Sequence, residues 1–367
     1  MKRVLLLAGE ESGVLYANRI AAKLREDFPA VEIRGYGDYG FEVSDLAVMG
    51  FWAVLKKIFY FLRVKRTMER AIDEWRPDVV CTIDYPGLNL KLAAAAKAKG
   101  IRAVHVVCPQ VWAWKQGRIP KIEAALDRLC CFFPFEPALF RTGFAAFVGH
   151  PLVEDLRDLS AKEHKEGAEK TLAVLPGSRL GEIEKHMPVL LEVINDLCAP
   201  SASLGGKIRI VIPAANEKAY RAITSYVSRL KSSSCVVVTH GGAREALVGA
   251  DAAVVASGTA TLEAAMLNCP TVLVYRVGAV LAWLARRLIK GVKHVGLANV
   301  VAEKAGVECP TPELLQEDFT VEKVLAELRP LLMDPVANRQ SRQKLADTMK
   351  LLNSNGDSIA NIVNQFG

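Results

Sequence analysis

Short apolar runs alternate along the chain with helix-forming segments. Nine runs have the length and composition of buried β-strands: 4–8, 77–83, 102–107, 129–133, 172–175, 208–212, 235–239, 252–256 and 271–275. Helical patterns follow several of them, at 14–24, 88–99, from 181 onward and at 261–267. Continuous apolar strands that alternate with helices are typical of parallel sheets covered on both faces. The pattern therefore predicts an α/β protein.

The same strand–helix alternation occurs twice, on either side of a charged, weakly periodic segment at 157–170. A chain of 367 residues is long enough for two domains with full cores. We therefore predict two Rossmann-like βαβ domains that face each other across a cleft, at 1–165 and 166–335. The tail at 336–367 reads as helices that pack back on the first domain, with a polar break at 353–356.

Composition narrows the class of protein. Hydrophobic residues make up 51% and charged residues 24% of the chain, which is typical of a globular protein. The net charge of +7 is modest, and the sequence contains no recognisable nucleic-acid-binding motif. No apolar stretch is long enough to cross a bilayer. The eight cysteines lie mostly in apolar runs and lack the spacing of metal ligands, so we expect reduced core thiols, a cytoplasmic protein and no metal site.

The segment 251–276 contains the clearest candidate site in the second half. A predicted strand ends at Ser257-Gly258-Thr259, where the hydroxyls are expected to cap the next helix. Free amides and the positive end of a helix dipole at this point suit a diphosphate. Glu263, one turn further, is placed to accept hydrogen bonds from ribose hydroxyls. The competing interpretation is an ordinary cap, with Glu263 complementing the helix dipole.

Two further loops follow predicted strands. Pro176-Gly177-Ser178-Arg179 precedes a helix, and Arg179 can bind an anion through its guanidinium fork. We favour this role over pairing with a nearby acid. The loop from Gly9 to Gly13 would bring backbone amides and Glu10 to the end of the first sheet, although a plain strand-to-helix turn explains it equally well.

Asp84 follows a buried-type strand and precedes a Pro-Gly turn, a position where α/β folds place their chemistry. Downstream, Trp112 and Trp114 lie beside basic residues and are either core aromatics or a wall for an acyl or sugar ligand. His150 is either a cleft residue or a turn histidine, and we favour the turn.

Two stretches combine large apolar side chains with basic ones and contain no acid: 51–66 and 280–293. Helices of this composition can lie in a membrane interface that carries anionic headgroups. A core helix with a solvated basic edge is the alternative. The presence of two such stretches favours a membrane surface.

Taken together in order, the strings GEESG, TIDYPGLN, CPQVWAWKQ, PFE, VGHP, LPGSR, SGTATLE, YR, ANVV and PELLQE resemble the lipid-A-disaccharide synthase family. This family consists of inverting glycosyltransferases of the GT-B fold. The resemblance extends over about 4–319. It implies transfer from UDP-2,3-diacylglucosamine to 2,3-diacylglucosamine 1-phosphate, without a metal or other cofactor, at the inner face of the cytoplasmic membrane. It also suggests a homodimer.

The resemblance assigns roles to individual residues. Asp84 is the expected base for the acceptor hydroxyl. The expected UDP-sugar ligands are Ser178, Arg179, Ser257, Gly258, Thr259, Glu263, Arg276, Asn299, Gln316 and Glu317. The expected acceptor or cleft residues are Glu10, Ser12, Gly13, Trp112 and Trp114. The expected membrane contacts are Phe51, Trp52, Leu55, Lys56, Ile58, Phe59, Leu62 and Arg63.

Three positions depart from the family's usual pattern: Val14 and Gly87 stand where acids are common, and Ala298 stands where proline is usual. These departures keep open a non-catalytic relative that binds a nucleotide sugar or a lipid. Another enzyme that uses UDP-GlcNAc, such as the transferase of the peptidoglycan lipid precursor or an epimerase, is a further alternative. VWAW and TIDYPGLN argue against it.

Overall fold

The computed structural model describes residues 2–46, 58–160, 169–199, 208–231, 233–278, 282, 283, 287, 291–354, 356 and 358–365. Its contacts divide the chain into two compact units. The first comprises Met1–Pro151 and Ser354–Gly367, and the second comprises Leu152–Asn353.

A six-stranded sheet forms the centre of the first unit. Its strands are β1 (Arg3–Ala8), β2 (Glu32–Arg34), β3 (Val79–Ile83), β4 (Arg102–Val106), β5 (Arg128–Cys131) and β6 (Ala145–Phe147). Every pairing is parallel, in the order β2-β1-β3-β4-β5-β6. The central strands are buried on both faces, as β3 shows with five consecutive buried residues. Their apolar runs require helices on both sides of the sheet.

The helices of the first unit are α1 (Glu11–Asp27), α2 (Val43–Leu46), α3 (Ile58–Trp75), α4 (Pro86–Ala98) and α5 (Ile119–Ala125). The chain's last helix belongs to the same unit. In the first unit, Lys2 Nζ donates to the carbonyl and side-chain oxygens of Asn364, at 2.6 and 2.7 Å.

A second six-stranded sheet forms the centre of the second unit. It contains β7 (Lys170–Leu175), β8 (Ile208–Ala214), β9 (Val236–His240), β10 (Ala252–Ala256), β11 (Thr271–Tyr275) and β12 (Glu313–Leu315). The order is β12-β11-β10-β7-β8-β9, again parallel throughout. β7 and β10 are adjacent at the centre, so the loops that follow them lie at the same edge of the sheet.

The helices of the second unit are α6 (Leu152–Asp155), α7 (Arg157–Ser160), α8 (Leu180–Leu197), α9 (Glu217–Val227), α10 (Ala243–Val248), α11 (Thr259–Met266), α12 (Leu297–Ala305), α13 (Val321–Met333) and α14 (Pro335–Lys350). The final helix, α15 (Ile359–Gln365), lies in the first unit. Among the residues described, no helix is both long enough and apolar enough to cross a membrane.

The structure confirms the α/β class with two Rossmann-like parallel sheets. All nine predicted strands are present, and β10 and β11 have the predicted bounds. The edge strands β2, β6 and β12 were missed because each has three residues and lacks a continuous buried run.

One expectation about the cysteines is wrong. Cys198, at the end of α8, and Cys235, directly before β9, form a disulfide. The separation of 37 residues in the sequence means that this pairing depends on tertiary packing, which the spacing of the cysteines does not reveal. Cys81, Cys108, Cys130, Cys131 and Cys269 are free and buried, as expected.

Candidate functional site

A cavity of about 360 Å³ opens in the second unit at the carboxyl ends of its central strands. The loop after β7, with Gly177, Ser178 and Arg179, lines part of it. Residues 256–260, between β10 and α11, line another part. Five of the ten expected donor residues therefore lie at this single cavity. Its position is the one where open α/β sheets bind ligands.

The start of α11 depends on Gly258. This residue has φ 152° and ψ −165°, a conformation that is essentially restricted to glycine. No side chain caps the helix, so the prediction that the hydroxyls of Ser257 and Thr259 do so is wrong. The hydroxyl of Thr261 instead donates to the Gly258 carbonyl at 2.7 Å. The first turn of an α-helix directs unpaired amides outward, and here that turn borders the cavity.

The loop before α8 is held by Glu182. Its Oε2 accepts from the peptide nitrogens of Ser178 and Arg179, at 3.2 and 3.3 Å. Its Oε1 pairs with the Arg179 guanidinium at 3.0 Å. A Cβ at Gly177, which has φ 120°, would lie 2.7 Å from Glu182, so only glycine permits this arrangement. Arg179 is thus paired with an acid, the alternative that was not favoured from the sequence. Its side chain nevertheless lines the cavity and remains 60% exposed.

His186 connects this loop to the end of β11. It is fully buried, its Nδ1 lies 2.7 Å from the Pro176 carbonyl, and the Arg276 amide donates to its Nε2 at 3.0 Å. Burial lowers its pKa. Both ring nitrogens are therefore used by a neutral imidazole with its proton on Nδ1. This role was not predictable from the sequence, because a histidine in a helix pattern carries no signature of its contacts.

Glu263 does not line the cavity. It accepts two hydrogen bonds from the Arg244 guanidinium, at 2.9 and 2.7 Å, and its side chain is 15% exposed. Arg244 was not identified from the sequence, since α10 shows no motif. The pair links α10 to α11 beside the cavity.

The other expected donor residues lie away from the cavity lining. The Arg276 guanidinium donates to the carbonyls of Gln316 and Phe319 and stacks on the Phe319 ring. Glu317 is exposed. Asn299 is buried, and its amide bonds to Thr311 and to the Glu313 carboxylate. Direct contact between Asn299 and a ligand would require these bonds to break.

Asp84 lies at the end of β3 in the first unit. Asp84 and Tyr85 both adopt left-handed backbone conformations, with φ 50°. The buried Asn89 side chain donates to the Asp84 and Ile83 carbonyls, at 2.8 and 3.0 Å, and accepts from the Tyr36 hydroxyl at 2.7 Å. Burial raises the pKa of Asp84, against the opposing effect of the Tyr85 amide, which donates to its carboxylate.

The loop after β1 lies against the Asp84 turn. A Cβ at Gly9 would lie 2.3 Å from the Tyr85 Cβ, so this close approach requires glycine. Burial and the Asp84 carboxylate raise the pKa of Glu10. The Asp84 carboxylate is therefore near enough to Glu10 to disfavour the charged form of Glu10. A Cβ at Gly13 would lie 3.5 Å from the Ile83 side chain, an ordinary van der Waals contact, whereas the Ser12 side chain is outside the described part of the structure.

The two tryptophans differ in environment. Trp112 is buried and donates through Nε1 to Glu136 at 3.0 Å, which makes it a core aromatic. Trp114 is 38% exposed, and the Lys115 ammonium lies 4.4 Å from its ring centroid. His150 is buried against Phe132 and Phe133, and burial lowers its pKa to about 4.

Only part of the first basic stretch is described. Phe51, Trp52, Leu55 and Lys56, and the side chain of Ile58, lie outside the described residues. α3 buries Val64, Met68 and Ile72 in the core. Phe59 and Leu62, in contrast, are 82% and 42% exposed, and the Arg63 guanidinium lies 6.0 Å from the Phe41 ring. Most of 280–293 is likewise outside the described residues.

Comparison with known proteins assigns the family. Residues 4–363 match the sequence profile of the Lipid-A-disaccharide synthetase family. The lipid-A-disaccharide synthase of Myxococcus xanthus is 35% identical over 96% of this chain and 94% of its own length. That of Saccharophagus degradans is 37% identical over 89% of this chain and 87% of its own.

Two solved structures share the fold. The S. aureus MnaA–UDP structure has a TM-score of 0.62 at 13% sequence identity, and the alignment covers 100% of this chain and 96% of the MnaA chain. A putative UDP-N-acetylglucosamine 2-epimerase from Listeria monocytogenes also has a TM-score of 0.62 at 13% sequence identity, and the alignment covers 100% of this chain and 95% of the Listeria chain. At this identity the likeness shows the fold alone. The sequence matches, which extend over nearly the whole chain, show that it belongs to the lipid-A-disaccharide synthase family.

Proposed function

We propose that this protein is a glycosyltransferase that joins UDP-2,3-diacylglucosamine to 2,3-diacylglucosamine 1-phosphate, forming lipid A disaccharide 1-phosphate and UDP. The observation that carries the proposal is the family match over residues 4–363. The two loop clusters described above support it, since each lies at the carboxyl edge of a parallel sheet.

The cavity of the second unit is the proposed UDP site. Its anion-binding groups are the amides at the start of α11 and the exposed guanidinium of Arg179. Transfer leaves negative charge on the UDP diphosphate, and positive groups fixed around it stabilise that charge without reorganising during the reaction. We propose that these groups replace a metal ion in this role.

Asp84 is the proposed base for the acceptor hydroxyl. Inversion by single displacement needs a base on the face of the sugar opposite the leaving UDP. Burial raises the pKa of Asp84, which makes its carboxylate a better proton acceptor than an ordinary aspartate. Glu10 shares this environment and is proposed to orient the acceptor.

The exposed side of α3 is the proposed membrane contact. Phe59 and Leu62 present apolar surface on a helix that also carries Arg63 and Lys65. Such a helix can lie at the surface of an anionic leaflet, where two-chain lipid substrates are held. The proposed location is therefore peripheral, on the inner face of the cytoplasmic membrane.

UDP release tests the proposal. Purified protein is mixed with donor and acceptor in detergent micelles, in parallel with the Asp84→Asn variant and with a reaction containing a chelator. We expect release that depends on the acceptor, persists with chelator and is lost in Asp84→Asn. Donor binding without release would instead identify a non-catalytic relative.

A further inference from the structure

A group of three potential metal ligands lies in the first unit, outside the two loop clusters assigned above. One ligand atom each from Cys108, Cys131 and Glu136 lies within 4.8 Å of the other two. Cys108 follows β4, Cys131 ends β5, and Glu136 lies in the turn after β5. All three side chains are buried, with exposures of 4%, 0% and 2%.

The chemistry of this set matches a thiophilic divalent cation. Zn²⁺ binds thiolates at about 2.3 Å and carboxylate oxygens at about 2.0–2.2 Å in tetrahedral geometry. At these bond lengths two sulfur ligands are about 3.8 Å apart, and a sulfur and an oxygen are about 3.6 Å apart. The three ligand atoms, all within 4.8 Å of one another, are therefore near enough to share one ion once the side chains adjust to these separations.

Outer contacts hold the carboxylate in place. Oε1 of Glu136 accepts from the Trp112 indole at 3.0 Å, and Oε2 accepts from the Phe133 amide at 3.1 Å. A carboxylate oxygen has two lone pairs, so each oxygen keeps one that can bind a metal. Hydrogen bonds of this kind orient the ligands in metal sites.

The backbone before Cys108 is strained. Val107 is β-branched and has φ 76°, a conformation that costs energy for such a residue. Its amide donates to the Cys130 carbonyl at 3.0 Å, which fixes the turn from β4 toward β5. This turn directs Cys108 toward Cys131, and such strain persists only where the surroundings fix the conformation.

We propose that Cys108, Cys131 and Glu136 bind one Zn²⁺ ion, or a cation of the same class, with the fourth position taken by water or a neutral ligand. The ion joins the segment after β4, which contains Trp112, to the turn after β5. Its role is structural, because its ligands belong to the core and not to the residues assigned to substrates.

The structure gives each member of the cluster hydrogen-bond partners or a buried setting that favour its neutral form. The Cys108 thiol donates to the Pro109 carbonyl at 3.3 Å. A hydrogen bond to Cys108 and burial both raise the pKa of the Cys131 thiol, and burial raises the pKa of Glu136 to about 7. Metal binding replaces the two thiol protons, and the carboxyl proton where present, with M–S and M–O bonds. No electron transfer is involved.

Co²⁺ is the probe. The full chain is purified from cells grown with Co²⁺ or with Zn²⁺, and both its metal content and its near-ultraviolet absorption are measured. We expect about one equivalent of metal per chain and, with Co²⁺, the charge-transfer band of thiolate ligation. Because the ligands are buried, brief chelation during a glycosyltransfer assay is expected to leave the ion bound.

Cys131→Ser and Cys108→Ser are expected to lose the metal and the band. Cys130→Ser is the matched control, since Cys130 is equally buried beside Cys131 but outside the cluster. A folded wild-type protein with neither metal nor band would overturn the proposal, as would full metal retention in Cys131→Ser. The wild-type result decides the question even if a variant fails to fold, and it does not depend on glycosyltransfer.

Discussion

Replacing Asn89 with leucine tests how Asp84 is positioned. The Asn89 amide donates to the carbonyls of Ile83 and Asp84 and accepts from the Tyr36 hydroxyl. Leucine has a similar size but makes none of these bonds. The change therefore removes the contacts that hold the turn after β3 while leaving its packing volume nearly unchanged.

The expected cost follows from the groups left unsatisfied. Each buried polar group without a partner costs about 1–3 kcal/mol. Asn89→Leu leaves the Tyr36 hydroxyl and the Asp84 carbonyl without the Asn89 side chain as a hydrogen-bond partner. It also removes the hydrogen bond that the Ile83 carbonyl accepts from Asn89. We expect the free energy of unfolding of the first unit to fall by about 3–5 kcal/mol.

Activity is expected to fall as well. Asp84 and Tyr85 both hold left-handed conformations that relax once the Asn89 contact is lost. A displacement of about 1 Å in a catalytic group can cost about a hundredfold in rate, so kcat is expected to fall on the order of 100-fold. UDP affinity is expected to stay unchanged, because the cavity proposed to bind UDP lies in the second unit.

Tyr36→Phe is the matched control. It removes one bond to Asn89 but keeps the three donations of the Asn89 amide to the backbone carbonyls of Leu7, Ile83 and Asp84. We expect a loss of about 1 kcal/mol in stability and near-normal kcat. Denaturant unfolding followed by tryptophan fluorescence reports mainly on the first unit, because four of the five tryptophans fall in Met1–Pro151.

Two results would refute this reasoning. The first is near-normal kcat in folded Asn89→Leu, which would mean that Asp84 either does not depend on this anchor or is not the base. The second is a Tyr36→Phe variant as inactive as Asn89→Leu, which would place the effect in Tyr36 rather than in the backbone anchor.

Three further predictions address other parts of the molecule. Gly258→Ala places a side chain in a conformation that only glycine readily adopts, so it should lower the free energy of unfolding by about 1–3 kcal/mol and weaken UDP binding in calorimetry. Gly181→Ala, on a helix with open space around it, should be neutral or stabilising, and equal effects of the two variants would contradict the role of Gly258. Burial lowers the pKa of His105 to about 3, so below pH 6.5 the unfolded chain binds a proton that the native chain does not. Through this group, the free energy of unfolding should fall by about 1.4 kcal/mol for each unit by which the pH is lowered. In pH-dependent denaturation His105→Gln should show a shallower slope, and an unchanged slope would contradict this. Phe59→Glu should weaken sedimentation with anionic vesicles while leaving UDP affinity intact, and unchanged sedimentation would exclude α3 as the membrane contact.

The sequence predicted the parts of the fold that depend on local pattern. The central strands, such as β10 and β11, are long apolar runs. The loops after β3 and β7 are marked by Gly, Pro and a polar residue, and the loop after β10 is marked by Gly between two hydroxyl residues. Because parallel strands end at one edge, the placement of Arg179 and Thr259 at one cavity follows from that pattern.

Side-chain partners were not predictable in this way. The pairs Arg244–Glu263 and Cys198–Cys235, and the contacts of His186, join residues that are distant in the sequence. Their meeting depends on how helices pack across the sheet, which no local periodicity encodes. Asn89 was overlooked for the same reason, since its four partners come from β1, from β3, from the turn after β3 and from the segment after β2.

The structure of the reaction product tests the central claim most directly. The protein is incubated with UDP-2,3-diacylglucosamine and 2,3-diacylglucosamine 1-phosphate, and the lipid product is analysed by mass spectrometry and NMR. The expected product is a disaccharide 1-phosphate whose new glycosidic bond has the anomeric configuration opposite to that of the donor. Retention of configuration, an epimerised UDP-sugar or unchanged substrates would contradict it.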